Sequence, residues 1–331
     1  MKAFRYFLLC VVLIAAGAAG GVAWWLERPL PLASDTVELS IEPGTTPRDI
    51  ANGWAQAGVR APAWALYEWF RWSGESKKIR AGSYEVDRRV TPRSLLDKMV
   101  RGDETMATVR LIEGWTFRQF RAELAKAQGL QSTIAPLSDE QVMAALGVPG
   151  TVPEGQFYPD TYAFSKGTKD TAVLVRAHRA MQRRLAAAWA ARTADLPLRS
   201  EAELLILASI VEKETGAAVD RAKVAAVFVN RLRVGMPLQT DPTVIYGLGE
   251  AFDGNLRKRD LQADTPYNTY TRNGLPPTPI AMPGKAALQA AGRPDPTTKA
   301  LFFVARGDGT SAFSDTLADH NRAVNKYQRG R

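Results

Sequence analysis

Residues 200–235 read SEAELLILASIVEKETGAAVDRAKVAAVFVNRLRVG, and their apolar residues recur with the period of a helix. Leu207 and Val211 belong to an apolar stripe with the spacing of one helix face. The stripe predicts a helix over 199–215, and the next apolar segment predicts a second helix that ends at Gly235. The sequence therefore predicts two consecutive helices joined by a short connection.

A carboxylate at the end of the first helix is the sharpest clue to chemistry. Glu214 follows Val211 by three positions and Leu207 by seven, which places it on the predicted buried face. Glu212 lies about 200° around the helix, beside smaller and more polar residues, and is expected to point outward. Burial favours the protonated form of a carboxyl group, which a general acid near neutral pH requires. The alternative is that Glu214 only closes the apolar stripe.

The rest of the chain predicts an α+β fold with two folded parts. The larger part covers residues 106–331 and ends with a hairpin and a closing helix. Between 236 and 283 it is rich in Pro, Gly, Tyr, Asn and Thr and has little periodicity. Loops of this length inside a compact domain are usually functional or disordered, and the aromatic content argues against disorder.

The smaller part, residues 35–105, predicts an α+β subdomain. The strand pattern TVELSIEP leads through a Pro-Gly turn into a helix at Thr46-Pro47, and AGSYEV leads into a helix at Thr91-Pro92. This order of strand, Pro-Gly-Thr turn and Asp-Ile-Ala helix resembles a LysM-like carbohydrate-binding subdomain. A plain structural module with the same element order is the alternative.

Residues 1–28 predict a membrane anchor. The run from Tyr6 to Leu26 is uncharged and long enough to cross a hydrocarbon core of about 30 Å as a helix. Trp24 and Trp25 fit an interfacial aromatic belt. The long apolar run and the lack of an A-x-A-like site favour an uncleaved anchor over a signal peptide. Basic residues before the run predict a cytoplasmic N-terminus, a single pass through the inner membrane and a periplasmic remainder.

Composition and the absence of known motifs exclude several classes of function. The 331 residues include 43 Lys and Arg against 34 Asp and Glu, a net charge of +9 that favours polyanionic partners or anionic surfaces. The single cysteine, Cys10, excludes an internal disulfide, and with two histidines it argues against a Cys/His zinc site. The sequence has no G-x-S-x-G, P-loop or Rossmann pattern. We therefore predict no cofactor, no metal and no nucleic-acid partner.

Polar and aromatic residues outside the two central helices form a second set of candidates. Tyrosine rings pack on sugar faces, and amide and hydroxyl groups bind sugar hydroxyls, so the set predicts carbohydrate binding. A well-packed loop whose Asn and Asp side chains satisfy its own backbone is the alternative. The candidates are Gln239, Asp241, Tyr246, Asn268 and Tyr270, with Glu154 and Asp160 from the motif EGQFYPDTY.

Four longer motifs carry a resemblance to a known family. They are ASIVEKET at 208–215, VFVNRLRVGMPLQTDPTVIYGLG at 227–249, YNTYTRNGLPPTPIAMPG at 267–284 and the closing SDTLADHNRAV. Together they resemble the MltG (YceG-like) family of endolytic murein transglycosylases over essentially the whole chain. The resemblance implies an inner-membrane lytic transglycosylase that cleaves between N-acetylmuramic acid and N-acetylglucosamine in nascent peptidoglycan strands. It also implies that the enzyme works beside peptidoglycan synthases, the penicillin-binding proteins.

The resemblance further implies a mechanism with one carboxyl group. The second carboxylate of the EKE motif, Glu214, would protonate the glycosidic oxygen and then accept a proton from the muramoyl 6-hydroxyl. A 1,6-anhydro end would result, and the enzyme would act as a terminase of glycan elongation. Two other hypotheses stay open at this point. One is a non-catalytic peptidoglycan-binding scaffold, and the other is a hydrolytic muramidase with Asp241 or Asp160 as its second carboxylate.

Overall fold

The structure is a computed structural model that describes residues 2–330. It is a mixed α+β protein with one long apolar helix at the N-terminus, which confirms the predicted fold class. The chain divides into two compact units. The first comprises Met1–Ala107, Gln128–Leu130 and Ala163–Thr168, and the second comprises Thr108–Ala127, Gln131–Tyr162 and Lys169–Arg331.

The first unit begins with helix α1 (Lys2–Leu26), whose segment Phe4–Leu26 is long and apolar enough to cross a membrane. A two-stranded antiparallel sheet and three helices follow, and in this sheet Thr36 faces Asp87 while Ile41 faces Gly82. The elements are β1 (Thr36–Ile41), α2 (Pro47–Ala57), α3 (Ala63–Trp72), a 3₁₀ turn (Ser76–Lys78), β2 (Gly82–Asp87) and α4 (Pro92–Arg101).

Threonine caps begin α2 and α4, as the sequence predicts. The Thr46 hydroxyl accepts the backbone N–H of Asp49, and the Thr91 hydroxyl accepts that of Ser94. Proline follows each cap, where its missing N–H costs no helical hydrogen bond. The two helices pack their apolar faces into one core, whose largest fully buried side chains include Trp54, Phe70, Tyr84, Leu95 and Met99.

Helix α3 is an element that the sequence analysis missed. Leu66 and Phe70 lie in the core, but Trp64 and Trp72 are 71% and 77% exposed. Apolar residues therefore surround this helix on several sides and hide the periodicity that marks a half-buried helix.

The second unit consists of short strands and a larger set of helices. Strand β3 pairs with β4, and β5 pairs antiparallel with β6 in the predicted C-terminal hairpin. The elements are β3 (Ala107–Arg110), α5 (Phe117–Lys126), α6 (Asp139–Ala145), β4 (Thr161–Phe164), α7 (Asp170–Ala190), α8 (Glu201–Glu214), α9 (Ala218–Arg233), α10 (Asp241–Leu248), a 3₁₀ turn (Gly249–Ala251), α11 (Lys258–Gln262), α12 (Lys285–Gly292), β5 (Phe302–Ala305), β6 (Ser311–Ser314) and α13 (Leu317–Gln328).

Helix α8 is the centre of the second unit. Helices α7, α9, α10 and α12 contact it, and every side chain from Leu204 to Val211 is buried. The expected polar side of this helix is buried as well, because the Ser209 hydroxyl accepts the backbone N–H of Ile280 at 3.0 Å. The prediction of an outward face is therefore wrong for the middle of α8, which is enclosed from Leu204 to Val211, while Lys213 near its end is exposed.

A buried aspartate at the start of α7 gives a testable prediction about stability. Asp170 is 1% exposed, and its carboxylate accepts the backbone N–H groups of Thr133 at 2.9 Å and Ile134 at 3.1 Å. Asp170→Ala leaves both donors without partners, so we expect the free energy of unfolding to fall by about 2–4 kcal/mol. Urea denaturation followed by circular dichroism measures this loss.

The matched control for Asp170 is a surface aspartate of the same unit. Asp195 pairs with Arg233 at 2.7 Å, but its side chain is 78% exposed. We expect Asp195→Ala to change the free energy of unfolding by less than about 1 kcal/mol. Equal losses in the two variants would contradict the role assigned to Asp170.

Candidate active site

Glu214 is the last residue of α8, and the backbone becomes extended at Thr215. The Glu214 side chain is partly buried, and its Oε2 accepts a hydrogen bond from the Thr240 hydroxyl at 2.7 Å. Burial raises the pKa of Glu214, and the charge of Asp241 acts in the same direction. The hydrogen bond from Thr240 and the guanidinium of Arg231 act against this rise without cancelling it. The net effect favours a protonated carboxyl group.

The chain just before α10 holds Thr240 in position. The N–H of Gln239 donates to the backbone oxygen of Thr269 at 3.0 Å, and the N–H of Thr240 donates to the Thr269 hydroxyl at 3.1 Å. Gln239 has a φ of 49°, a left-handed conformation that residues other than glycine rarely adopt. This constrained turn fixes the hydroxyl that contacts Glu214.

Helix α10 carries two of the predicted site residues. Asp241 is exposed, and its Oδ1 accepts a hydrogen bond from the Tyr270 hydroxyl at 2.6 Å. The Tyr246 hydroxyl donates to Oε2 of Glu154 at 3.2 Å, and its ring meets that of Tyr267 edge-on with centroids 4.9 Å apart. Helix α10 therefore links the surroundings of the acid on α8 with a second carboxyl group.

That second carboxyl group, Glu154, lies at the N-terminus of α5. Its side chain is 5% exposed and accepts the backbone N–H of Phe117 at 3.1 Å through Oε1 and at 3.3 Å through Oε2. Burial raises the pKa of Glu154 to about 7, although the hydrogen bonds from Phe117 and Tyr246 favour the charged form. Glu154 therefore exchanges protons near neutral pH.

A cavity of about 800 Å³ runs beside α10 and is large enough to hold sugar rings. Its lining includes the carboxyl group of Glu154 and the rings of Phe117, Tyr246 and Tyr267. Lys213, the neighbour of the catalytic candidate, also lines it, so the end of α8 reaches the cavity margin. Aromatic rings beside a carboxyl group suit the binding of a carbohydrate.

Of the predicted site residues, Glu154 and Tyr246 line this cavity. The others do not line it: Glu214, Gln239, Asp241, Asn268, Tyr270 and Asp160. Asn268 is fully buried, and its Nδ2 donates to backbone oxygens of its own loop, the closest at 2.6 Å on Ala263. These hydrogen bonds match the alternative interpretation, in which an Asn side chain of the loop satisfies the loop's own backbone. Asp160 is exposed, its carboxylate accepts the N–H of Thr161 at 2.8 Å, and it is not part of the cavity lining.

Glu212 also departs from the prediction that it points outward. It is partly buried, and its Oε2 accepts the backbone N–H of Gly284 at 2.9 Å. Burial raises the pKa of Glu212, and the nearby charge of Glu113 contributes to the rise. The reason for the difference is the enclosure of α8, since the segment around Gly284 covers the side that was expected to face solvent.

Sequence reasoning missed several residues that shape the site. Thr269 positions Thr240, while Phe117 and Tyr267 line the cavity. Tyr267 and Thr269 lie within the YNTY motif, next to the predicted residues Asn268 and Tyr270. Their position in this motif was the available signal. Phe117 lies 37 positions before Glu154 in the sequence, and only the fold brings the two together.

A second cavity of the same unit, of about 600 Å³, has a basic character. Its charged lining consists of Arg184, Arg221, Lys285 and Arg293, and small side chains from α7, α9 and α12 complete the wall. Among the described residues that line it, none is acidic. The cavity therefore suits a ligand that carries carboxylate groups.

The fold and the site together define a class of protein: an α+β protein with a carboxylic-acid centre for acid–base chemistry at the margin of an aromatic cavity. A sequence model of the YceG-like family matches residues 39–326. The chain therefore belongs to the YceG-like family.

Similar proteins of known name agree with this membership. The endolytic murein transglycosylase of Bacillus subtilis (strain 168) is 32% identical over 309 residues, which cover 88% of this chain and 85% of that protein. The endolytic murein transglycosylase of Streptococcus pneumoniae serotype 2 is 24% identical over an alignment of 364 positions, which covers 99% of this chain and 65% of that protein. The structure is also similar to the crystal structure of a YceG-like protein from Listeria monocytogenes, with a TM-score of 0.55 and 30% sequence identity. This match covers 88% of this chain and 99% of that one.

Proposed function

We propose that this chain is an endolytic murein transglycosylase, a lyase that cleaves peptidoglycan glycan strands between N-acetylmuramic acid and N-acetylglucosamine. The observation that carries the proposal is the Glu214 carboxyl group, whose pKa is raised by burial and whose Oε2 accepts a hydrogen bond from the Thr240 hydroxyl. The names of the relatives from Bacillus and Streptococcus support the substrate and the reaction.

The proposed mechanism uses the same carboxyl group twice. Protonated Glu214 donates its proton to the glycosidic oxygen as the bond to the anomeric carbon of N-acetylmuramic acid breaks. The resulting carboxylate accepts the proton of the muramoyl 6-hydroxyl while that oxygen attacks the anomeric carbon. A 1,6-anhydro ring forms and water is not consumed, so no second carboxylate is needed to activate a water molecule.

The surrounding side chains have proposed roles in holding the sugars. Tyr246 and Glu154 contact a saccharide in the aromatic cavity, with the Tyr246 ring against a sugar face. Exposed Asp241 and Gln239, with Tyr270 behind Asp241, contact the saccharide that reaches Glu214. The charge of Asp241 also stabilises the positive charge that develops on the sugar ring.

The proposed location follows from α1. An apolar segment of 23 residues anchors the chain in the inner membrane by a single pass, with a cytoplasmic N-terminus and a periplasmic remainder. We further propose a LysM-like subdomain at 35–105 and a catalytic domain at 106–331. Anchored in this way, the enzyme meets strands as penicillin-binding proteins make them, and it terminates their elongation.

Strand-length analysis tests the endolytic and terminating roles. Full-length protein in detergent micelles should shorten long uncrosslinked strands to medium lengths before disaccharides accumulate, because an internal bond is cut. Cells that lack the protein should make longer strands. Release of disaccharides from strand ends at first contact, with unchanged strand length in cells, would contradict the proposal.

The basic cavity predicts a preference for strands that carry acidic stem peptides. Lys285 and Arg293 are exposed, so the double substitution Lys285→Glu and Arg293→Glu should leave the fold intact. We expect the KM for strands with stem peptides to rise several-fold and to lose much of its salt dependence, since two attractive charges become repulsive. Strands stripped of peptides serve as the control, and an equal rise in their KM would contradict this role.

A further inference from the structure

One face of α3 carries tryptophan side chains, and two of them, Trp64 and Trp72, lie outside the core of the first unit. Trp64, Glu68 and Trp72 recur at intervals of four residues, and Trp69 lies beside them on the same face. Trp64 and Trp72 are 71% and 77% exposed. Two exposed tryptophans on one short helix are unusual for a surface that meets only water, and tryptophan concentrates where a membrane meets water.

This face of α3 is one wall of an apolar groove of about 950 Å³. The opposite wall is the C-terminal end of α1, from Ala18 to Leu26. Small residues on that wall leave room, and a Cβ atom added at Gly21 would meet nothing within 4 Å. The groove is therefore long, apolar and bounded by the part of the chain that is apolar enough to cross a membrane.

Several contacts fix the end of α1 to the first unit and so define the groove. Leu26 is 5% exposed and Leu30 is 4% exposed, and the N–H of Leu30 donates to the backbone oxygen of Val90 at 2.7 Å. Arg93, which lines the groove, pairs with Glu27 at 2.5 Å. These contacts hold the end of α1 beside α4, and α3 also packs against α4.

Arginines lie against tryptophan rings of α1 and α3, and one of them, Arg93, lines the groove. The guanidinium of Arg28 is 3.9 Å from the ring centre of Trp24. Arg71 lies 5.5 Å from Trp72, and Arg93 lies 5.8 Å from Trp69. Indole rings and guanidinium groups occur together at the membrane interface. There the rings contact acyl chains and the cations contact anionic headgroups.

We propose that α3 lies in the membrane leaflet that surrounds the C-terminal end of α1, and that the groove between them holds a phospholipid acyl chain. The inference rests on the proposed insertion of α1. When α1 is inserted, the wall from Ala18 to Ala23 lies at hydrocarbon depth and Trp25 lies at the interface, so the groove opens towards the acyl chains. The chain then has a second membrane contact, which fixes the orientation of the first unit and not only its distance from the bilayer.

Spin labelling of the full-length protein in vesicles tests this proposal. The vesicles contain phosphatidylethanolamine and phosphatidylglycerol, and Cys10→Ser provides a background without cysteine. A nitroxide is attached in turn to Ala65→Cys in the groove, to Leu13→Cys in the middle of α1, and to Glu85→Cys, an exposed position on β2 outside the groove. Accessibility to oxygen, which concentrates in lipid, is compared with accessibility to a water-soluble nickel chelate.

We expect an oxygen-to-nickel accessibility ratio several-fold higher at 65 than at 85, and a high ratio at 13. A high ratio at 13 with an aqueous ratio at 65 would overturn the inference and leave the membrane anchor standing. Low oxygen-to-nickel ratios at both 13 and 65, as for a label in water, would contradict the membrane insertion of α1 and the inference with it. Because the protein is reconstituted alone, a helix of another protein cannot account for a high ratio at 65.

Discussion

Glu214→Gln is expected to lower the turnover of murein cleavage by about 10²–10⁴-fold, the range for loss of a general acid. The amide of Gln can still accept the Thr240 hydroxyl, so the helix end and the neighbouring loop keep their contact. It cannot supply the proton that the departing glycosidic oxygen requires. Turnover on uncrosslinked strands measures the loss, and retained strand binding with an unchanged circular dichroism spectrum shows that the fold is intact.

Glu212→Gln is the matched control for this substitution. Glu212 lies on the same helix, is partly buried and has a raised pKa, and Gln can still accept the N–H of Gly284. We expect this variant to lose less than about ten-fold in turnover. Among the described residues Glu212 has no hydrogen bond to Thr240, and it does not line the aromatic cavity. Equal losses in the two variants would contradict the assignment of Glu214 as the acid.

Glu154→Gln is expected to make the stability of the protein less dependent on pH. Burial raises the pKa of Glu154 from 4.5 to about 7, so the folded state binds this proton more tightly than the unfolded state. The resulting stabilisation is complete below about pH 4.5 and is lost as the pH rises through about 7. The difference in pKa corresponds to about 3 kcal/mol. Glu154→Gln should therefore gain up to this amount relative to the unsubstituted protein between about pH 4.5 and pH 8.

Urea denaturation at several pH values measures this change. Glu140→Gln is a useful control, because a hydrogen bond from Ser138 lowers the pKa of exposed Glu140 and keeps its titration below this window. Its stability relative to the unsubstituted protein should stay constant from about pH 5 to pH 8. If the stability difference between Glu154→Gln and the unsubstituted protein also stays constant over this range, the pKa of Glu154 is not raised.

The sequence predicted those elements whose signals are local. The helices α8 and α13 and the hairpin of β5 and β6 have clear periodicity, caps or turn residues within a few positions. Position 214 could also be selected in this way, because it depends only on the register of one helix. By contrast, α10 was interpreted as part of a long loop, although Asp241-Pro242 at its start is a helix-start signal that was available.

Features that depend on distant parts of the chain could not be predicted. The outward direction of Glu212 was wrong because the segment at Gly284, far away in sequence, covers that side of α8. Asn268 had the chemistry of a sugar ligand, but the fold of its own loop uses its amide. The left-handed turn at Gln239 depends on Thr269, and no local pattern specifies that pairing.

The central claim is that Glu214 performs a transfer within the sugar and not a hydrolysis. Mass spectrometry of the strand ends that the unsubstituted protein and Glu214→Gln release from uncrosslinked peptidoglycan distinguishes the two reactions. We predict 1,6-anhydro-muramoyl ends from the unsubstituted protein and no new ends from the variant. Ends heavier by one water molecule would contradict the account and identify a hydrolase, and no cleavage by either protein would identify a glycan-binding scaffold.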